Sequence, residues 1–258
     1  MMRRNAYLFM VAVSFICTAM LFSPASVHAA DVPEGLVLYF TFDTEDKGTI
    51  TDLSGHGNNA TIHGQPEWNT GKIGDALEFA ANGQFLEVLD SDTLKSDEIT
   101  IALWMNWTGD VLPNESFSKF SYQSGGYLFK MEGTEMNFWF YDEGATAHMQ
   151  RARPQPVPGE WTHLAVTFDG SVQKGYVNGV KGADMPWAGP IGHTSNNLQM
   201  GAHSSMTFTG MMDDVAIYNR ALTDEEVLDT MENGHIAADK AVKPMDKLAG
   251  TWGRLKKL

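Results

Sequence analysis

Residues 159–180 read GEWTHLAVTFDGSVQKGYVNGV, and this stretch decides the fold of the chain. Apolar and polar residues alternate over residues 162–168, and a second apolar run follows at 174–177, which is typical of strands with one buried face. Asp169 and Gly170 between the two runs are typical turn residues. Asn178 and Gly179 follow the second run, and these residue types best tolerate the positive φ that a type I′ turn needs. The stretch therefore predicts two strands, a turn and a tight β-hairpin.

The same pattern recurs along most of the chain. From Asp31 onward, short apolar runs alternate with clusters of Gly, Asn and Asp. Runs this short and this rich in aromatic and β-branched residues favour an all-β sandwich or barrel. Residues 99–107 are apolar on both faces, which predicts a strand that is covered on both sides. The other predicted strands span residues 36–42, 76–79, 85–89, 127–132, 136–141, 198–200 and 211–218.

One short helix is predicted after the last strand. Thr223 is a candidate N-cap, and Glu226, three residues later, can complete a capping box. An apolar stripe follows over residues 227–231, and Gly234 is suited to end the helix. We expect this helix to cover one edge of the sandwich.

The first 29 residues have the layout of a secretory signal peptide. Arg3 and Arg4 precede an apolar run over residues 6–22, and small residues around Ala29 suit cleavage. An N-terminal membrane anchor is the alternative, because this run approaches the length of a spanning helix. Cleavage would leave no other run of membrane length, so we expect a secreted protein, extracellular or periplasmic.

Cleavage of the signal would also remove Cys17, which is the only cysteine. The mature chain would then have no disulfide, no cysteine nucleophile and no thiolate zinc site. We expect one domain over residues 30–235, a basic tail over residues 236–258, and a monomer. The tail is either a solvated terminus or contains a short helix around residues 248–258 that docks on a partner or on the acidic body.

The chain is acidic, with 32 Asp and Glu against 18 Lys and Arg and a formal net charge of −14 at pH 7. Nucleic acid binding needs a basic face, so this composition argues against nucleic acid as a partner. Calcium prefers six to eight oxygen ligands from carboxylates and backbone carbonyls, so an acidic exported domain is compatible with a calcium site.

Six segments, in this order, resemble a laminin-G-like domain of the concanavalin A-like lectin and glucanase superfamily. Each motif is weak by itself, but six in the family's order are specific. The resemblance covers residues 36–234 and implies an all-β, two-sheet antiparallel jelly-roll sandwich with one short C-terminal helix. The segments are LVLYFTFD (36–43), DLSGHGNNA (52–60), GDALEF (74–79), ITIALW (99–104), GEWTHLAVTFDG with YVNG (159–179), and MDDVAIYNRALT (212–223).

The resemblance also implies a structural calcium ion, because members of this family commonly hold one between the first and last strands. Asp213 matches the acidic ligand just before the final strand, and Asp43 at the end of the opening strand is the expected second ligand. A backbone carbonyl near Gly83 is the third. In the alternative interpretation, Asp43 and Asp213 only cap turns.

Carbohydrate binding is the function that the family resemblance favours, since aromatic rings stack on sugar faces. The aromatic candidates are Trp107, Tyr122, Trp139, Tyr141 and Trp187. We expect Trp187, Tyr122 and Trp139 to bind the ligand, and Trp187 most of all because it lies in a predicted loop. The ligand would be a glycan or a cell-surface protein, and an extracellular adhesion module is the alternative function.

Catalysis is not expected from the sequence. The related jelly-roll glucanases carry paired acidic residues alternating along one strand, which would place two carboxyls on the same face. Asp213 and Asp214 are adjacent, so they face opposite ways, and the acidic residues at 224–226 are better explained as helix caps. His163 is expected to be structural. A glycoside hydrolase of the glucanase type is therefore the least favoured function.

Overall fold

The computed structural model describes residues 32–44, 48–109, 114–203 and 206–236. The predicted signal peptide with Cys17, and the predicted helix around residues 248–258, lie outside these ranges. Within them, no helix has both the length and the apolar character needed to cross a membrane.

The described residues form strands almost throughout, and one α-helix follows the last strand. The elements are β1 (Leu36–Phe40), β2 (Thr49–Ile50), β3 (Ala60–His63), β4 (Glu67–Thr70), β5 (Asp75–Phe79), β6 (Phe85–Val88), β7 (Ile99–Trp107), β8 (Asn114–Ser121), β9 (Gly125–Glu132), β10 (Glu135–Tyr141), β11 (Ala147–Arg151), β12 (Trp161–Phe168), β13 (Val172–Val177), β14 (Val180–Lys181), β15 (Met185–Pro186), β16 (Leu198–Met200), β17 (Ala202–His203), β18 (Met206–Thr207), β19 (Gly210–Tyr218) and α1 (Asp224–Asn233).

Two large antiparallel sheets form a sandwich. The nine-stranded sheet runs β14-β13-β12-β7-β19-β5-β4, with β1 paired to β19 and β15 to β13. The eight-stranded sheet runs β11-β10-β9-β8-β16-β6-β3-β2, and β17 and β18 form a small separate sheet. The predicted all-β, two-sheet antiparallel jelly-roll sandwich with one short helix is confirmed.

The main core lies between the two sheets, and alternation along each strand decides which side chains enter it. In β10, Met136, Phe138 and Phe140 are buried in this core, whereas Trp139 and Tyr141 lie between them on the opposite face of the strand. Because successive side chains of a strand point to opposite faces, this register also fixes what the eight-stranded sheet presents on its outer face.

The outer face of the nine-stranded sheet is covered by its own apolar cluster. Val227 of α1 and Leu222 just before the helix pack with Ala102 and Ala216, which lie on β7 and β19. The helix therefore lies on a face of the sheet. The expectation that it covers one edge of the sandwich is thus corrected. Strand β7 is buried on both sides as predicted, since every residue except Asn106 is buried.

The predicted hairpin at Asn178–Gly179 and the predicted capping box of α1 are both confirmed. Asn178 and Gly179 have φ angles of 50° and 74°, and the hairpin pairs Val177 with Val180. The Thr223 side chain accepts from the Glu226 backbone N–H while the Glu226 side chain accepts from the N-cap backbone.

Candidate functional site

An aromatic row lies on the outer face of the eight-stranded sheet. Strand register places Phe120 of β8 and Tyr141 of β10 on either side of Gly126 in β9, all on one face. Trp139 is two residues from Tyr141 on the same face, and Tyr122 follows the end of β8. We call Tyr122, Phe120, Tyr141 and Trp139 the aromatic row.

The rings of the row contact one another in sequence. The Trp139 and Tyr141 rings are stacked with nearly parallel planes, at an interplanar angle of 13° and with centroids 5.9 Å apart. The Phe120 ring lies 4.2 Å from that of Tyr141 and 4.7 Å from that of Tyr122. Phe120 is buried and Tyr122 is 76% exposed, whereas Trp139 and Tyr141 are partly exposed. The row is thus a surface platform with a buried aromatic anchor.

Gly126 makes this contact between strands possible. It has a φ of 123°, and a Cβ at this position would overlap the carbonyl oxygen of Lys119. With no side chain on the middle strand, the rings of Phe120 and Tyr141 meet across it. The Gly125-Gly126 pair signals a turn in the sequence, but the structure places both glycines inside β9.

The electrostatic surroundings of the row are negative. Burial raises the pKa of Tyr141 to about 12, and Tyr122 and the carboxylates of Glu115 and Glu132 add to the rise. Tyr141 is therefore a neutral phenol at physiological pH, with an O–H that can donate to a ligand hydroxyl.

Two glutamates that were not singled out in the sequence lie opposite each other at the end of the β9–β10 hairpin. Glu132 and Glu135 are register partners, so their side chains share the outer face. Glu132 pairs with Lys130 at 3.1 Å, and Glu135 pairs with Arg151 at 3.4 Å and Arg153 at 3.2 Å. Only strand pairing brings these two carboxylates together, because no alternation within one strand predicts it.

The predicted ligand residues separate into two groups. Tyr122 and Trp139 belong to the aromatic row, but Trp187 does not. The Trp187 indole is stacked between His148 at 3.9 Å and Phe168 at 4.0 Å, both at interplanar angles of 7°. Both ring faces are therefore covered, which leaves none for a sugar, although Trp187 was the candidate that its predicted loop position favoured most. Trp107 is a core residue.

The two aspartates predicted to bind calcium both hold one turn, the β4–β5 connection at residues 71–75. The Asp75 backbone N–H donates to Asp43 Oδ1 at 2.9 Å. The Ile73 backbone N–H donates to Asp213 Oδ2, also at 2.9 Å. The structure thus brings Asp43 and Asp213 to the same turn.

Asp213 is the unusual member of this pair. It is fully buried, and its Oδ1 atom has no hydrogen-bond partner among the described residues. Burial, and then the neighbouring Asp214 carboxylate, raise the pKa of Asp213 to about 8. A buried carboxylate of this kind needs either a proton or a cation to compensate its charge.

Gly83 lies away from these aspartates. It belongs to the turn after β5, and its carbonyl oxygen lies beside Gly64. The 71–75 turn is at the other end of β5, so Gly83 does not join Asp43 and Asp213. Over the described part of the chain, no group of three or more His, Cys, Asp or Glu side chains could hold a metal ion.

A cavity of about 560 Å³ lies elsewhere, between the start of β1 and the loop after Asp52. Its lining includes Pro33, Asp52, Ser54 and His56. Asp52 and Ser54 already bond each other, with 2.8 Å between Ser54 Oγ and Asp52 Oδ2. The Asp52 and Ser54 side chains of this cavity are thus already hydrogen-bonded to each other within the fold.

A match to a family model shows which superfamily this chain belongs to. Residues 81–228 match the laminin G family model described as the concanavalin A-like lectin/glucanases superfamily. The chain belongs to this superfamily. The resemblance to this family is therefore confirmed over more than half of the chain, a range that contains the last three of the six segments.

Among curated proteins, this laminin-G-like chain is similar to pappalysin-1 of Mus musculus. The two are 24% identical over 178 residues, which are 61% of this chain but only 11% of pappalysin-1. The similarity therefore concerns one part of a much longer protein.

Two solved structures similar to this laminin-G-like domain are binding domains of toxins. The binding domain of Paraclostridial Mosquitocidal Protein 1 has a TM-score of 0.66 at 14% identity, covering 79% of this chain and 52% of that one. The ligand-binding domain of botulinum neurotoxin serotype D, in complex with N-acetylneuraminic acid, has a TM-score of 0.66 at 12% identity, covering 79% and 52%.

Domain 4 of AbnA, a GH43 extracellular arabinanase from Geobacillus stearothermophilus, was solved in complex with arabinotriose. Its TM-score is 0.63 at 20% identity, covering 77% of this chain and 98% of that one. At these identities the three structures establish the shared fold.

Proposed function

We propose that the chain is a secreted, non-catalytic module that binds carbohydrate on its aromatic row. The observation that carries the proposal is the pair of nearly parallel, partly exposed rings of Trp139 and Tyr141 on the outer face of the eight-stranded sheet. Aromatic rings offer large apolar faces with polar edges, which suits the alternating apolar and hydroxyl surfaces of a sugar. Similar folds that were solved with N-acetylneuraminic acid and with arabinotriose support this proposal.

A binding role is favoured over hydrolysis by the state of the acidic residues near the row. Retaining glycoside hydrolysis uses one carboxylate as nucleophile and one carboxylic acid as proton donor. Glu132 and Glu135 share a face, but both are held in ion pairs with basic side chains. We therefore expect no release of reducing sugar from glucans or arabinans, and sustained release would contradict the proposal.

Replacing Trp139 with alanine is expected to weaken glycan binding by about tenfold or more, the loss of roughly 1.4 kcal/mol or more that a stacking face provides. Binding is measured by glycan array to find a ligand and by calorimetry on the best hit. Tyr122→Ala is expected to have a smaller effect, since a phenol ring offers a smaller stacking face than an indole.

Trp161→Ala is the matched control, because it removes the same side chain from the outer face of the other sheet. Unchanged affinity in Trp139→Ala, or an equal loss in Trp161→Ala, would move the site away from the aromatic row. A blank glycan array together with capture of a purified cell-surface protein would favour the adhesion module instead.

We also propose a structural calcium ion at the 71–75 turn. Asp43 and Asp213 would supply the carboxylate oxygens, and backbone carbonyls of the turn would have to complete the shell, because calcium requires six to eight oxygens. The unpartnered Oδ1 of Asp213 supports this fit, since it is a buried acceptor beside a turn that Asp43 also holds. The ion would tie the first strand to the last.

Calcium at about 100 times its Kd is expected to stabilise the fold by about 2.7 kcal/mol, which raises the Tm by roughly 5–10 °C for a domain of this size.

In EDTA, the free energy of unfolding should fall as the pH rises from about 4 to about 8, because folded Asp213 keeps a proton that the unfolded chain releases. Thermal unfolding over this pH range, with calcium or EDTA, measures both effects.

Asp213→Asn is the control for both measurements. It should remove the calcium response and also flatten the pH dependence in EDTA, since asparagine carries no proton to release. A wild-type Tm that responds to neither calcium nor EDTA would eliminate the ion and leave the two aspartates as turn caps.

A further inference from the structure

We infer that the ligand of the aromatic row is an extended, uncharged oligosaccharide and not an acidic sugar. This inference rests on the proposed function and adds the chemical class of the glycan. It follows from the geometry of the rings and from the pairing of the charged groups around them.

Ring geometry indicates a chain of sugars. The row runs from Trp139 through Tyr141 and Phe120 to Tyr122, with successive ring centroids 5.9, 4.2 and 4.7 Å apart. A single terminal sugar would contact one part of the row and leave the rest exposed. Consecutive sugar units of an extended chain can contact the row along its length, so the binding energy should grow with chain length.

Charge pairing indicates an uncharged ligand. A sialic or uronic acid carboxylate is typically bound by a free cation, most often a bidentate arginine. Three basic residues lie near the row: Lys130 on β9, Arg151 at the end of β11, and Arg153 just after it. Each of them pairs with Glu132 or Glu135. An acidic sugar would have to compete with these glutamates for its partner.

The field at the row acts in the same direction. The carboxylates of Glu115 and Glu132 are close enough to help raise the pKa of the Tyr141 phenol, so they disfavour negative charge at this position. An anionic ligand would meet the same repulsion, whereas sugar hydroxyls would meet acceptor oxygens that suit them. The overall charge of −14 adds to the effect.

The experiment compares probes that differ in one property at a time. Oligogalacturonate hexamer and its methyl ester have the same backbone and differ in charge, and xylose, xylotriose and xylohexaose differ in length. Calorimetry on the full chain is expected to show at least tenfold tighter binding of the ester than of the acid, and of xylohexaose than of xylose if xylan binds. An arabinan length series replaces xylan if the array selects arabinan.

Glu135→Gln gives an independent readout, because it releases Arg151 and Arg153 from their carboxylate. The affinity for the acidic hexamer relative to its ester should then rise by threefold or more, on the order of 0.6 kcal/mol. Binding of the acid as tight as that of the ester, or of sialyllactose above lactose, would overturn the inference while glycan binding itself stands. Monomer affinity equal to that of the hexamer would also overturn it, and no binding of any probe would remove the proposed function as well.

Discussion

Replacing Asp90 with alanine is expected to lower the free energy of unfolding by about 3–5 kcal/mol, because it leaves a buried charge without its counterion. That charge is Lys119, whose side chain is 2% exposed and points between the sheets. Lys119 Nζ donates to Asp90 Oδ1 at 2.6 Å, to the Asn196 carbonyl at 2.6 Å and to the Thr194 carbonyl at 3.3 Å. All three ammonium donors are satisfied, and two of the acceptors are neutral.

The pH dependence separates this effect from a simple loss of packing. Burial lowers the pKa of Lys119, and Asp90 is the charge that opposes this shift. Without Asp90 the pKa should fall further, so the unfolded chain binds more protons than the folded one as the pH approaches the ordinary lysine value. The stability of Asp90→Ala should therefore recover as the pH rises towards 10, and urea unfolding at pH 7 and pH 10 measures this.

The matched variant is Lys119→Met, which removes the buried charge and keeps a long apolar chain. It should destabilise less than Asp90→Ala, because replacement of a buried ion by an apolar group of similar volume is often close to neutral. The double variant should resemble Lys119→Met alone. A deficit in Asp90→Ala that is additive with Lys119→Met would contradict the charge argument.

Replacing Asp52 with alanine is expected to cost about 3–4 kcal/mol, since several buried donors lose their acceptor at a penalty of about 1–3 kcal/mol each when they stay dry. Asp52 Oδ1 accepts from the backbone N–H groups of Tyr39 and Ser54, and Oδ2 accepts from the Asn58 N–H and the Ser54 hydroxyl. The Tyr39 bond ties the loop after β2 to strand β1, and the other three bonds lie within that loop.

Two variants test this assignment. Ser54→Ala removes one donor and leaves the three backbone bonds, so we expect a loss of about 1 kcal/mol or less. Asp52→Asn keeps the shape and one acceptor oxygen and should fall between the two. Equal losses in Asp52→Asn and Ser54→Ala would show that the backbone bond from Asn58 to Oδ2 contributes little.

Strand β8 shows where prediction from sequence stopped. Its residues, NESFSKFS, look polar, and we did not predict a strand there, although it is central to the eight-stranded sheet. The alternation was obscured by Lys119, which occupies a core-facing position beside Phe117. The acceptors that make this tolerable come from residues 90, 194 and 196, which lie far away in the chain, so no local pattern contains them.

The acidic residues illustrate a similar limit. Asp43 and Asp213 were chosen by family resemblance, and the structure does bring them to one turn. Gly83 was chosen on the same grounds and lies at the other end of β5. The carboxylate pair formed by Glu132 and Glu135 was missed, because it depends on the register of a hairpin.

By itself, the sequence was enough for the strand pattern, the Asn178–Gly179 hairpin, the capped helix and the superfamily, because each depends on neighbouring residues or on the order of motifs. Only the tertiary structure decided which aromatic rings are available to a ligand. A period of two shows which side chains share a face, but not what covers that face. Packing encloses Trp187 between His148 and Phe168 and leaves Trp139 and Tyr141 at the surface, so the candidate site is a property of the assembled sheets.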